Sequence, residues 1–209
     1  MDEKRNITKA AGIMSVATFI SRVLGYVKDM ILAVYFGATG LSDTFFVAFR
    51  IPNLLRELFA EGSMSSAFIP VLTEYQAKNG KDEAKRLVRI TFTFIMIFVG
   101  LICLIGIIFA PSIVTAIAPG FLSMPEKFSL TVLLTRAMFP FLLFISLAAL
   151  IMGALNSRRV FFIPALAPAM LNVSIIVTVI SLASKMEQPI IAVAIGVALG
   201  GFVQFAFQI

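Results

Sequence analysis

The 209-residue sequence contains no histidine and a single cysteine, Cys103. Without imidazole the chain lacks the usual neutral-pH proton shuttle and the commonest zinc ligand, and with one thiol it has no disulfide framework and no thiolate metal cage. Cys103 lies in an apolar run and reads as a small core residue. G-x-S-x-G, Walker A and the dinucleotide-binding glycine fingerprint are all missing, which removes the familiar hydrolase and dehydrogenase constellations. No catalytic residue, cofactor or metal is expected. Charge is scarce too: 13% of residues are charged against 60% hydrophobic, and the mean hydropathy is +1.02. That composition belongs to a polytopic membrane protein rather than to a soluble core. The formal charge of +6 comes without an aromatic-basic RNA module or zinc spacing, so nucleic acid is not the expected partner.

What the chain does have is long apolar runs. Windows long enough to cross the hydrocarbon core fit six times, near Ile13–Phe36, Leu41–Phe59, Ile90–Ala110, Leu130–Leu155, Val160–Ser184 and Pro189–Ile209. The expected fold is therefore an all-α membrane bundle of six spans. Pro52 should kink the second, and an amphipathic stretch from Glu61 to Gln76 follows it. Pro111, Pro119, Gly120 and Pro125 read as turn chemistry. The charged start, Met1 to Lys9, leads into a run too long for a signal peptide and without a small-residue cleavage site. The last window stops at Phe207-Gln208-Ile209 with no polar flank, which points to a portion of a longer protein.

Against this background the ionisable residues of the first two windows stand out. A charge at the bilayer centre costs roughly 2.5–3.5 kcal/mol on insertion scales, so such residues persist where a polar cavity or partner receives them. At 100° per residue Ser15, Thr18, Arg22, Tyr26 and Asp29 form one stripe, and Arg22 and Asp29 can share a cavity. Lys28 faces elsewhere unless the helix distorts near Gly25. In the second window Asp43, Arg50, Glu57 and Glu61 recur on one face, with Arg56 off it and Asn53 nearby. Ion pairs such as Arg22–Asp29 or Arg50–Glu57 would account for some of these residues structurally. Arg22, Lys28 and Arg56 together exceed what Asp29 and Asp43 neutralise, and the excess implies an anionic ligand. Arg136 suits snorkelling to the interface, and Pro164, Pro168 and Asn172 suit a bent helix.

Two segments carry a family resemblance. SRVLGYVKDMILAVYFGA at 21–38 and SDTFFVAFRIPNLLRELFAEGSMSSAFIPVLTEY at 42–75, above all PNLLRELFAEGSMSSAF, resemble the opening of MurJ/MviN lipid II flippases. These belong to the multidrug/oligosaccharidyl-lipid/polysaccharide exporter superfamily. The resemblance implies fourteen helices, with two pseudo-symmetric six-helix lobes around a cationic cavity and two more helices that hold the lipid tail. Residues 1–209 would form the N-terminal lobe. By motif position the pyrophosphate of the undecaprenyl-linked peptidoglycan precursor falls to Arg22, Lys28 and Arg56, supported by Asp29, Asp43 and Asn53. Relatives commonly carry arginine where this chain has Lys28, which keeps the charge but loses the bidentate fork.

The resulting expectation is a lipid II flippase of the bacterial inner membrane, working by alternating access with a missing C-terminal lobe and breaking no bond. Membrane lipids and lipid II are its expected partners. Alternatives are an exporter of another polyprenyl-linked polysaccharide, a drug exporter, or a membrane scaffold for cell-wall enzymes; a cationic drug would favour a net acidic cavity. Lys4, Arg5, Lys9, Lys78, Lys81, Lys85, Arg86, Arg89, Arg158 and Arg159 fall on one side of the six spans, against Lys127 and Lys185 on the other. That asymmetry places the N-terminus in the cytoplasm. Cysteine labelling from outside the cell is accordingly expected to modify a probe at Ser123 and spare one at Asn79. The reverse pattern would contradict this orientation.

Overall fold

The computed structural model describes residues 2–37, 40–58, 67–158 and 160–209, with side chains from Met14 onward. Among them there is no strand. The helices are α1 (Asp2–Phe36), α2 (Gly40–Arg56), α3 (Ile69–Asn79), α4 (Lys81–Ile108), α5 (Ala110–Ile117), α6 (Pro125–Ser157), α7 (Phe162–Leu182) and α8 (Ile191–Ala206). Each expected window overlaps one of α1, α2, α4, α6, α7 and α8, and Phe59, the expected end of the second, lies outside the described residues. Three stretches, Lys81–Ile108, Pro125–Ser157 and Phe162–Lys185, are long and apolar enough by themselves to cross a membrane. Of the other three, α1 and α2 carry charged residues along their length and α8 runs only 16 residues.

Local chemistry sets the boundaries. Gly37 ends α1 with φ +56°, a left-handed conformation that glycine adopts without strain, and its N–H donates to the Ala33 carbonyl at 2.9 Å. The Ser42 hydroxyl then donates to the Gly37 carbonyl at 2.7 Å, tying the turn to the start of α2. Pro52 does not end α2, which runs through it to Arg56 with the ring buried. The proline-rich segment expected to be only turns contains α5 and the 3-10 turn Pro119–Ser123, because Pro111 and Pro119 sit in first turns, where a missing N–H is harmless.

Helix α6 is the centre of the bundle. The apolar window of α6 is 61% buried, against 22% for α4 and 28% for α7, so α6 lies inside the bundle while α4 and α7 leave most of their apolar windows exposed. Helices α2, α4 and α8 pack on α6, while α1 packs on α7 and α7 on α8. The shared core includes Leu134, Met138, Phe141, Leu142 and Leu150 of α6, with Val193 and Val197 of α8. Arg136 donates from Nε to the Ile107 carbonyl at 3.1 Å, satisfying the end of α4 in place of serving a cavity.

Helix α8 fits into this arrangement because it lacks side chains where it touches its neighbours. A Cβ on Gly196 would collide with Thr178 Oγ1 and lie 2.8 Å from Ile175 Cα; on Gly200 it would lie 2.6 Å from a Leu171 methyl. These are approaches that only a small-residue seam allows. Gly196→Ala should therefore destabilise the bundle by about 1–3 kcal/mol through overpacking. Gly100→Ala, whose added methyl meets nothing within 4 Å, is the control and should be neutral or slightly stabilising. Thermal unfolding of the two variants checks this; equal melting temperatures would contradict the close approach.

Candidate functional site

Because α1 is carried by α7 and α2 by α6, with α8 packed against both carriers, the first two helices border a groove floored by α6, α7 and α8. At the end near the α1–α2 turn the groove holds a cavity of about 390 Å³, lined by Asp29 and Phe36 of α1, Ser42, Phe45 and Phe46 of α2, and Ile190. At the other end lies a smaller cavity of about 150 Å³, reached by Arg56 and by residues of α6, α7 and α8.

The stripe expected on α1 is partly realised. Arg22 shares an open hollow of about 570 Å³ with Met14, Ser15, Thr18 and Phe19, and Tyr26 is exposed along the same helix. Arg22 does not pair with Asp29. Lys28 Nζ lies 3.1 Å from Asp29 Oδ1 instead, with the lysine side chain 25% exposed and the carboxylate 69% exposed. The long, flexible lysine stem reaches the adjacent carboxylate, whereas Arg22 and Asp29 are separated by about 10 Å of helix rise.

On α2 the expected Arg50–Glu57 pair is replaced by a cluster within one turn. Asn53 donates from Nδ2 to Glu57 Oε1 at 2.9 Å, and Arg56 donates from Nε to Asn53 Oδ1 at 3.1 Å. Arg56 also stands 3.8 Å from Glu57 Oε1. Asn53 and Glu57 thus orient the guanidinium, whose side chain is 24% exposed. Arg50 is exposed, and among the described residues neither it nor Arg22 forms an ion pair with a carboxylate. Glu61 lies outside the described residues.

Asp43 sits about 20 Å along α2 from Arg56, at the opposite end of the helix. It pairs with Lys127, whose Nζ donates to Asp43 Oδ2 at 3.0 Å while lying 4.4 Å from the centre of the Phe121 ring. This bond ties α2 to the first turn of α6 across 84 residues of sequence, so no local pattern signals it. The same is true of Asn172, which donates from Nδ2 to the Ser21 carbonyl at 3.3 Å. Read from sequence as part of a bent helix, Asn172 fastens α7 to α1 beside Arg22. Pro164 and Pro168 line the smaller cavity.

The sequence comparisons agree with this geometry. Residues 32–209 match the family model for lipid II flippase MurJ. Similar proteins include the probable lipid II flippase MurJ of Buchnera aphidicola subsp. Acyrthosiphon pisum, 42% identical, and the lipid II flippase MurJ of Burkholderia cenocepacia, 41% identical, each over 98% of this chain. The chain spans 40% of the length of both relatives. A solved structure of lipid II flippase MurJ in an inward closed conformation superposes with a TM-score of 0.77 at 31% identity, covering 92% of this chain and 40% of that one. An all-helical bundle with polar first helices on an apolar carrier, matched along nearly its whole length by these relatives, belongs to the lipid II flippase MurJ family.

Proposed function

We propose that this chain is the N-terminal, substrate-binding lobe of a lipid II flippase, with six membrane spans and its N-terminus in the cytoplasm. The observation that carries the reading is electrostatic. In and around the groove Asp29 is taken by Lys28, Asp43 by Lys127 and Glu57 by the Asn53–Arg56 cluster. Arg22 has no carboxylate partner among the described residues, and it shares an open hollow with the hydroxyls of Ser15 and Thr18. A cation so placed in an apolar helix is stabilised by an anionic ligand, and a pyrophosphate held within the membrane plane by a polyprenyl chain meets that need.

In this reading Arg22, Lys28 and Arg56 hold the pyrophosphate, while Asp29 and Asn53 fix the directions of Lys28 and Arg56. Asp43 acts at a distance, holding the outer end of α2 to α6. The polyprenyl tail remains in the bilayer while a second lobe rocks against this one, exposing the headgroup first to the inner and then to the outer side. No bond is made or broken. A drug exporter for cations would need free carboxylates in the groove, and Asp29, Asp43 and Glu57 are already engaged.

The test is outer-face accessibility of lipid II in cells carrying variants of the full-length transporter, with membrane abundance measured alongside. Arg22→Ala or Arg56→Ala should reduce transport by roughly tenfold or more, the cost of losing a charge-assisted contact of about 1.5–3 kcal/mol. Lysine at either position should restore it in part, since the charge returns without the planar fork. Lys28→Arg should preserve or improve transport. Normal flipping by correctly inserted Arg22→Ala and Arg56→Ala proteins would remove these residues from the substrate site.

A further inference from the structure

Buried hydroxyls in this bundle are answered by their own helices: Thr131 Oγ1 donates to the Lys127 carbonyl, Thr135 to Thr131 and Ser146 to Leu142, at 2.7 to 2.8 Å. Among the described residues, the buried side-chain atoms left without a partner lie on and just beyond α8. Gln204 is 8% exposed and Gln208 5% exposed, and neither side-chain oxygen has a hydrogen-bond partner. Gln208 is held in place by its Nε2, which donates to the Gln204 main-chain carbonyl at 3.3 Å. Both glutamines line the 150 Å³ cavity that Arg56 also lines.

The rest of that cavity is apolar, with Ala148, Met152 and Leu171 among its walls. Pro168, also in the wall, has no N–H to give to the Pro164 carbonyl one turn earlier. The chamber therefore combines a guanidinium, surplus acceptors and a greasy surface. The Gln204 amide can turn about its last torsion to present either oxygen or nitrogen. The volume admits one small substituent and excludes a second sugar or a peptide.

We propose that Gln204 and Gln208 form a subsite for a small amide, the acetamido group of an amino sugar whose neighbouring phosphate is held by Arg56. This rests on the pyrophosphate reading above. In a 2-acetamido sugar 1-phosphate the amide stands on the carbon next to the one bearing phosphate, so the two groups enter adjoining parts of one site. The acetamido N–H donates to a glutamine oxygen, and its methyl packs on Ala148, Met152 and Leu171. Gln204 thereby sets specificity between amino sugars and their hydroxyl counterparts.

The experiment compares binding of two probes to the purified full-length transporter: undecaprenyl diphosphate bearing N-acetylglucosamine, and the same lipid bearing glucose. The wild type should favour the acetamido probe by about fivefold, the worth of one hydrogen bond. Gln204→Met keeps the length but removes the amide; it should bring the acetamido probe down to the affinity of the glucosyl one. Its melting temperature should not fall, because an unsatisfied buried acceptor is lost with it. Equal binding of the two probes by the wild type, as expected if only water fills the cavity, would overturn the subsite. So would a preference that survives in Gln204→Met, or equal loss of both probes. Arg56→Ala separates the two readings: it should weaken both probes alike, and undiminished binding would overturn the pyrophosphate assignment itself.

Discussion

The groove depends on the fit of α8 between α6 and α7. Gly196 and Gly200 let α7 approach until any Cβ would strike Thr178, Ile175 or Leu171, and Gly201 does the same on the α6 side, where a Cβ would lie 2.8 Å from the Phe141 ring. Since lipid tails are as apolar as leucine, helices in a membrane associate by close packing and hydrogen bonding more than by hydrophobic burial. A seam without side chains is one way to obtain that packing. It joins the α6–α2 arm to the α7–α1 arm, and thereby fixes how far apart the two polar helices stand. The Asn172–Ser21 bond and the Asp43–Lys127 bond then fasten each polar helix to its carrier.

With that frame in place, charge is distributed unevenly. Most carboxylates near α1 and α2 are engaged locally, as are Lys28 and Arg56, but Arg22 and Arg50 have no carboxylate partner among the described residues. Exposure makes such charges tolerable, and an anion makes them favourable. The unpaired side-chain oxygens of Gln204 and Gln208, which line one cavity with Arg56, extend the same logic from charge to hydrogen bonding.

Much of this was legible in the sequence, for physical reasons that can be named. Apolar run length located helices α1, α2, α4, α6, α7 and α8, and a polar stripe at helical spacing located Ser15, Thr18 and Arg22, because both depend only on local periodicity. Partners were harder. Arg22–Asp29 looked plausible on one face, but Lys28 takes Asp29 because it is adjacent, whereas Arg22 lies two turns away. Arg50 and Glu57 share a face, yet Glu57 is captured by Asn53 at shorter range. Lys127 and Asn172 gained their significance from contacts across the bundle, and Gln204 from a cavity it lines with Arg56, none of which periodicity encodes. The proline-rich loop hid α5, since proline marks a helix start as readily as a turn.

The central claim is that the groove between α1 and α2 recognises charge on a lipid carrier. The most direct measurement compares the affinity of the full-length transporter for undecaprenyl pyrophosphate with its affinity for uncharged undecaprenol. The account predicts that the pyrophosphate binds at least tenfold more tightly, that added salt weakens this preference, and that a double Arg22→Gln, Arg56→Gln variant loses it. Equal affinity for the two lipids, or a preference indifferent to those substitutions, would contradict it.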